Sequence, residues 1–120
     1  MKILICGVGS IGQRHAKNLI SLGEKNIVFF RERNLNLQDK DLKKIRVYNN
    51  LSSALKEKPD ISLICNVTSK HISTAIKCAK NGSHLFIEKP VSNKLINWDQ
   101  LEKIVNKKNL KVMVGYNMRF

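Results

Sequence analysis

A short apolar run, Ile3-Leu4-Ile5, leads at once into Cys6-Gly7-Val8-Gly9-Ser10-Ile11-Gly12, and no other stretch restricts the fold as much. The glycines stand in a G-x-G-x-x-G spacing between a predicted strand and a predicted helix. Each has its own physical reason. Gly7 permits a tight turn, and Gly9 has no Cβ to block a diphosphate approaching the backbone. Gly12 falls on the helical face of Ala16, Leu19 and Ile20, so that its small size lets the helix lie close to a sheet. Backbone N–H groups of the first helical turn, from Ser10, Ile11 and Gly12, would then face an anion.

The remaining chain alternates strand and helix signals. Met1 to Cys6 is strand one, and the first helix runs from about Ser10 to Leu22, with Gly23 as its stop. Asn26 to Arg31 is rich in β-formers and is strand two. Glu32 to Lys44 is polar, a loop with a short helical turn. Ile45 to Tyr48 is a third strand, Ser52 a candidate cap for a brief helix over Ala54 to Lys58, and Ile61 to Asn66 a buried strand. The clearest helix follows, with Ser69 as expected N-cap, an apolar stripe of Ile72, Ala75, Ile76 and Ala79, and Gly82 as its stop. His84 to Ile87 is strand five, Asn97 to Lys108 a last helix with Asn97 and Gln100 spaced as a capping box, and Lys111 to Val114 strand six.

Six strands alternating with helices predict an α/β fold. The sheet is parallel and doubly wound, with helices on both faces and strand order 3-2-1-4-5-6, as in a Rossmann domain. Residues 1–120 form one such dinucleotide-binding domain. A ligand would lie across the carboxyl edge, where the order reverses between strands one and four.

Charge raises a different possibility. The net charge is +13, from 22 basic against 9 acidic residues, and so large an excess can mark a nucleic-acid surface. Yet the basic residues are 17 Lys and only 5 Arg, scattered and without interleaved aromatics, which favours a solvated surface. No apolar run approaches the roughly 20 residues of a membrane span. Cys6, Cys65 and Cys78 lie in or beside apolar runs without C-x-x-C spacing, which fits reduced, buried thiols and a cytoplasmic protein. No cluster of residues has metal-ligand spacing.

Several signals at strand ends resemble one family, the N-terminal domain of the Gfo/Idh/MocA (glucose–fructose oxidoreductase / inositol dehydrogenase) oxidoreductases. They are Gly7 to Gly12 with Arg14-His15 and Asn18-Leu19, Asn66-Val67-Thr68-Ser69-Lys70-His71, Glu88-Lys89-Pro90, and the closing Gly115-Tyr116-Asn117-Met118-Arg119-Phe120. The resemblance covers essentially the whole chain, and Glu-Lys-Pro after strand five is its most discriminating piece. It implies that Lys89 reaches the nicotinamide ribose and the reacting hydroxyl, that Glu88 orients the lysine or the cofactor, and that Pro90 shapes the turn, often through a cis bond. It also implies that Asn66 and Thr68 lie along the nicotinamide half and that His71 lines its pocket. The family usually has proline where this chain has Val67. Arg14 and His15 are expected to be structural or peripheral.

The resemblance further implies hydride transfer between nicotinamide and a hydroxyl-bearing carbon of a sugar, cyclitol or sugar nucleotide. The family's C-terminal substrate domain is expected to lie outside these 120 residues, which alone should be inactive and could self-associate. The rival from another class is a non-catalytic module that senses NAD(H) or NADP(H). Cofactor choice depends on the end of strand two. Glu32 suits both ribose hydroxyls of NAD, but Arg31 and Arg33 bracket it and suit the 2′-phosphate of NADP, so either cofactor fits.

Overall fold

The structure is a computed structural model that describes residues 1–33, 36–89, 91 and 97–115. Six parallel strands form one sheet in the order β3-β2-β1-β4-β5-β6. They are β1 (Ile3–Cys6), β2 (Ile27–Phe30), β3 (Arg46–Tyr48), β4 (Ile61–Ile64), β5 (His84–Glu88) and β6 (Val112–Gly115). The helices are α1 (Ser10–Ser21), α2 (Lys40–Lys43), α3 (Leu51–Leu55), α4 (His71–Lys80) and α5 (Trp98–Lys107), with a 3-10 turn at Thr68–Lys70. This is the predicted doubly wound order.

The short apolar runs become central strands because both faces of the sheet are covered. All four residues of β1 are buried, and alternation divides them between two cores. Ile3 and Ile5 pack with Phe29, Ala16 of α1 and Leu42 of α2. Leu4 and Cys6 pack on the other face with Phe30, Ala54 of α3, Ile76 and Ala79 of α4 and Leu101 of α5. At the sheet's edge, β6 leaves Met113 64% exposed, so an apolar strand sequence is not a buried one there.

Both glycine stops act as expected. Gly23 has φ +93°, and its N–H donates to the Ile20 carbonyl while the Glu24 N–H reaches Leu19, closing α1. Gly82, with φ +85°, does the same for α4.

The predicted caps fare differently. Asn50, not Ser52, caps α3, its side chain accepting the Ser53 N–H at 3.1 Å. Ser69 does not cap α4 but lies inside the 3-10 turn, and α4 starts without a side-chain cap. Asn97 adopts a left-handed conformation, φ 67°, with no side-chain cap bond among the described residues, so the expected capping box with Gln100 does not form. Pro90, expected to shape the turn after β5, and the closing 116–120 segment lie outside the described residues.

Candidate functional site

β1 and β4 are neighbours in the sheet, yet their connections leave in opposite directions. The Gly7 turn carries β1 into α1 toward the β2 side, whereas β4 exits through Asn66 toward β5. The divergence opens a cavity of about 530 Å³ at the carboxyl edge. Gly7, Val8, Gly9, Ser10 and Ile11 form one wall. Phe30, Arg31, Glu32 and Arg33 from the end of β2 form a second, and Cys65, Asn66, Val67 and Lys70 a third.

The three glycines of the turn have different surroundings. Gly7 has φ +96°, and a Cβ there would come within 2.5 Å of the Asn66 backbone nitrogen. At Gly12 a Cβ would collide with the Gly7 carbonyl oxygen and touch Ile5. These two glycines press the start of α1 onto the turn and the turn onto β4. Gly9 is the opposite case, since a Cβ there meets nothing within 4 Å. Gly9 also lines the cavity.

Gly9 is also the N-cap of α1, without a side-chain cap bond and without an acidic residue in the first turn. The Gln13 N–H donates to the Gly9 carbonyl at 2.9 Å, so the earlier N–H groups of Ser10, Ile11 and Gly12 precede the helix's own ladder. A helix start of this kind, with three free N–H groups and no acidic side chain in its first turn, suits an anion such as a diphosphate.

At the far side Glu32 is half-exposed and ion-paired to Lys70, which joins the β2 exit to the β4 exit across the cavity. Arg31 has two guanidinium nitrogens, Nε and Nη1, enclosed and without a hydrogen-bond partner among the described residues. Asn66 carries a second orphan. Its Nδ2 donates to Thr74 Oγ1 at 2.9 Å, while Oδ1 is enclosed and unpartnered. Buried polar atoms are seldom left this way, and in a cavity wall they are acceptor and donor positions for a ligand. Together with the open cradle at Gly9, they fit a nicotinamide dinucleotide.

The other expected site residues lie apart from those lining the cavity. His71 is buried at the start of α4, contrary to the usual surface position of a first-turn histidine, and its Nε2–H donates to the Asn66 carbonyl at 2.7 Å. It therefore props the backbone of the residue that bears the orphan Oδ1. Thr68 opens the 3-10 turn between them. Glu88 closes β5, and its Oε1 accepts from His15 Nε2 at 2.5 Å while Oε2 faces the Lys89 N–H at 3.3 Å. Lys89 is exposed at the carboxyl edge.

Sequence reasoning missed the His15–Glu88 pair, which sets α1 against the end of β5. His15 also meets Phe86 edge-on, with ring centroids 5.3 Å apart. Gly115 of β6 makes room for the cluster, because a Cβ there would lie 2.9 Å from the Phe86 ring and 3.2 Å from Glu88 Oε1. Also missed were Val8, Phe30, Cys65, Val67 and Lys70. Their signal was positional, since each sits at or just beyond the end of β1, β2 or β4. Burial first, and the Glu88 charge second, push the Cys65 thiol up to about 12. It is therefore a neutral wall rather than a nucleophile.

Comparison with known proteins agrees with this geometry. Residues 1–116 match the family model described as "Oxidoreductase family, NAD-binding Rossmann fold" (GFO_IDH_MocA). Over the full chain, it is 30% identical to a myo-inositol 2-dehydrogenase of Thermotoga maritima, 37% of which is covered. It is 28% identical to a 4-carboxy-2-hydroxymuconate-6-semialdehyde dehydrogenase of a Sphingobium species, of which 39% is covered. The chain thus spans little more than a third of these curated relatives. Among solved structures, a probable dehydrogenase from Thermotoga maritima superposes with TM-score 0.82 at 26% identity, over 96% of this chain and 36% of that one. With its glycine turn, its strand order and its match across 1–116, the chain belongs to the Gfo/Idh/MocA oxidoreductase family as an NAD-binding Rossmann domain.

Proposed function

We propose that this domain serves an enzyme moving a hydride between nicotinamide and a hydroxyl-bearing carbon of a sugar, cyclitol or sugar nucleotide, with NAD or NADP as cofactor. The observation that carries this reading is the cavity at the β1/β4 divergence, open at Gly9 and bounded by the uncapped start of α1. The myo-inositol 2-dehydrogenase relative supports a polyhydroxylated substrate.

In this reading Ser10, Ile11 and Gly12 give their backbone N–H groups to the diphosphate, and Glu32 accepts from the adenosine ribose. Asn66 Oδ1 is an acceptor for the nicotinamide half, held in place by Thr74 and by His71 beneath its carbonyl. A nicotinamide held beside Asn66 would supply or accept the hydride. Lys89 handles the accompanying proton: as the neutral amine its Nζ accepts the substrate hydroxyl's O–H and becomes the ammonium as the carbon is oxidised. Glu88, fixed by His15, positions the lysine backbone. Three reduced cysteines and no disulfide among the described residues suit a cytoplasmic setting, and no described helix is long and apolar enough to cross a membrane.

Titration of the 120-residue chain with NADH, followed by nicotinamide fluorescence, tests the cofactor role. Saturable binding competed by ADP-ribose is expected, and no binding would overturn it. The same chain, offered inositols, hexoses and sugar nucleotides with NAD(P), is expected to give no steady turnover. Hydride transfer needs the carbon held at near-attack distance, and that positioning accounts for several kcal/mol of the barrier. Turnover abolished by Lys89→Ala would show instead that one domain suffices.

A further inference from the structure

The adenosine end of the cavity holds more positive charge than NAD requires. Glu32 is flanked in sequence by Arg31 and Arg33, and across the cavity it is ion-paired to Lys70. Three cations and one carboxylate line this part of the cavity. The excess of two matches the charge of a phosphate monoester near neutral pH, about −1.5 to −2. Arg31 also stands between this cavity and a second one of about 410 Å³ that Lys43 helps to line, and two of its nitrogens have no partner among the described residues. A guanidinium with idle donors beside a cavity is set to take a phosphate oxygen.

Lys70 comes from the opposite side of the switch point, not from the β2 exit that usually decides cofactor choice. Its ion pair has two consequences. It neutralises Glu32, whose bare carboxylate would repel a 2′-phosphate. It also leaves the carboxylate with acceptor sites to spare for ribose hydroxyls, because each oxygen accepts about two hydrogen bonds. We infer that Lys70 is a specificity-determining residue that, with Arg31 and Arg33, admits a 2′-phosphate on the adenosine ribose, so that the cavity takes NADP as well as NAD. This rests on the cofactor reading given above.

The test isolates the phosphate. Affinities of 5′-AMP, 2′,5′-ADP, NADH and NADPH are measured by calorimetry for the unmodified chain, Lys70→Ala and Lys70→Met. Unmodified protein should bind NADH and NADPH within about tenfold of each other. Both Lys70 variants, at an exposed turn that folds without the charge, should lose roughly five- to tenfold for 2′,5′-ADP and NADPH, as for a partly exposed charge-assisted contact. The NADPH to NADH and the 2′,5′-ADP to 5′-AMP affinity ratios should therefore fall, whatever Lys70 contributes to binding the adenosine ribose through Glu32. Preserved NADH binding with an unaltered NADPH to NADH ratio would overturn the role of Lys70 alone. Rejection of NADPH by more than a hundredfold in the unmodified chain would do the same. Failure to bind any of the four would overturn the cavity assignment itself, and this inference with it.

Discussion

Replacing the three turn glycines one at a time should separate folding from binding. Gly9 has φ −78° and ψ −165°, a conformation open to any residue, and space for a Cβ. In Gly9→Val, loss of a favourable N-cap residue costs up to about 1 kcal/mol. Restricting the unfolded chain offsets this by roughly 0.4–1 kcal/mol. Stability should therefore stay within about 1 kcal/mol of the parent, while the isopropyl group occupies the diphosphate cradle and NADH binding is lost. Gly12→Ala gains about 1 kcal/mol of helix propensity. It must also push the Gly7 carbonyl oxygen, 2.0 Å from that Cβ, aside, and overpacking against main chain costs about 3 kcal/mol or more, for a net loss of about 2 or more. Gly7→Ala is severe for two reasons, since left-handed backbone strain of about 1–2 kcal/mol adds to a collision with the Asn66 backbone at 2.5 Å. A loss of about 3–5 kcal/mol is expected there. At about 4 °C per kcal/mol for a domain of this size, thermal melts resolve the order, and calorimetry with NADH supplies the second axis. Retained NADH affinity in Gly9→Val would refute the assignment of the cradle, and a large drop in its melting temperature would refute the claim of open space.

Two other expectations concern titratable groups. Glu57 accepts from Lys2 at 2.6 Å, from Tyr48 and from Arg46, and these contacts lower its carboxyl from 4.5 to about 2. The folded chain thus binds this proton more weakly than the unfolded one. The stabilisation is complete above about pH 4.5 and is lost as pH falls through 2. Glu57→Gln should melt lower than the parent at pH 6, with the gap closing by pH 2, and a pH-independent gap would contradict the linkage. Cys6 and Cys78 are fully buried and burial pushes the Cys65 thiol up to about 12, so a disulfide-exchange reagent at pH 8 should find no fast thiol until denaturant exposes all three cysteines.

How far the sequence could be read depended on the range of the interaction. Ile3-Leu4-Ile5, Gly23 and Gly82 declare themselves locally, since an apolar run can be buried on both faces and a positive φ calls for glycine. Caps were harder. Asn50 and Ser52 are both competent, and the point where β3 ends decides between them. The site was legible where it lies on one strand end, as with Gly7, Gly9, Arg31, Glu32 and Asn66, which line one cavity. It was opaque where two distant segments meet. His15 and Glu88 are 73 positions apart, and Glu32 and Lys70 are 38 apart, so their pairing exists only once the sheet order is fixed. Exposure of Met113 has the same origin, because nothing in Val112 to Val114 announces an edge strand.

The unequal surroundings of the turn glycines bear on how such a domain can decay. Suppose a duplicated copy is released from the need to hold a cofactor but must still fold. Gly7 and Gly12 stay under the discipline of the backbone, because any side chain there meets main-chain atoms. Gly9 alone is released, and substitutions should accumulate at that single position first. A descendant with both outer glycines intact and a branched residue at the middle one would be a folded Rossmann domain that has given up its ligand. The middle glycine is therefore a marker of use, and the outer two are markers of shape.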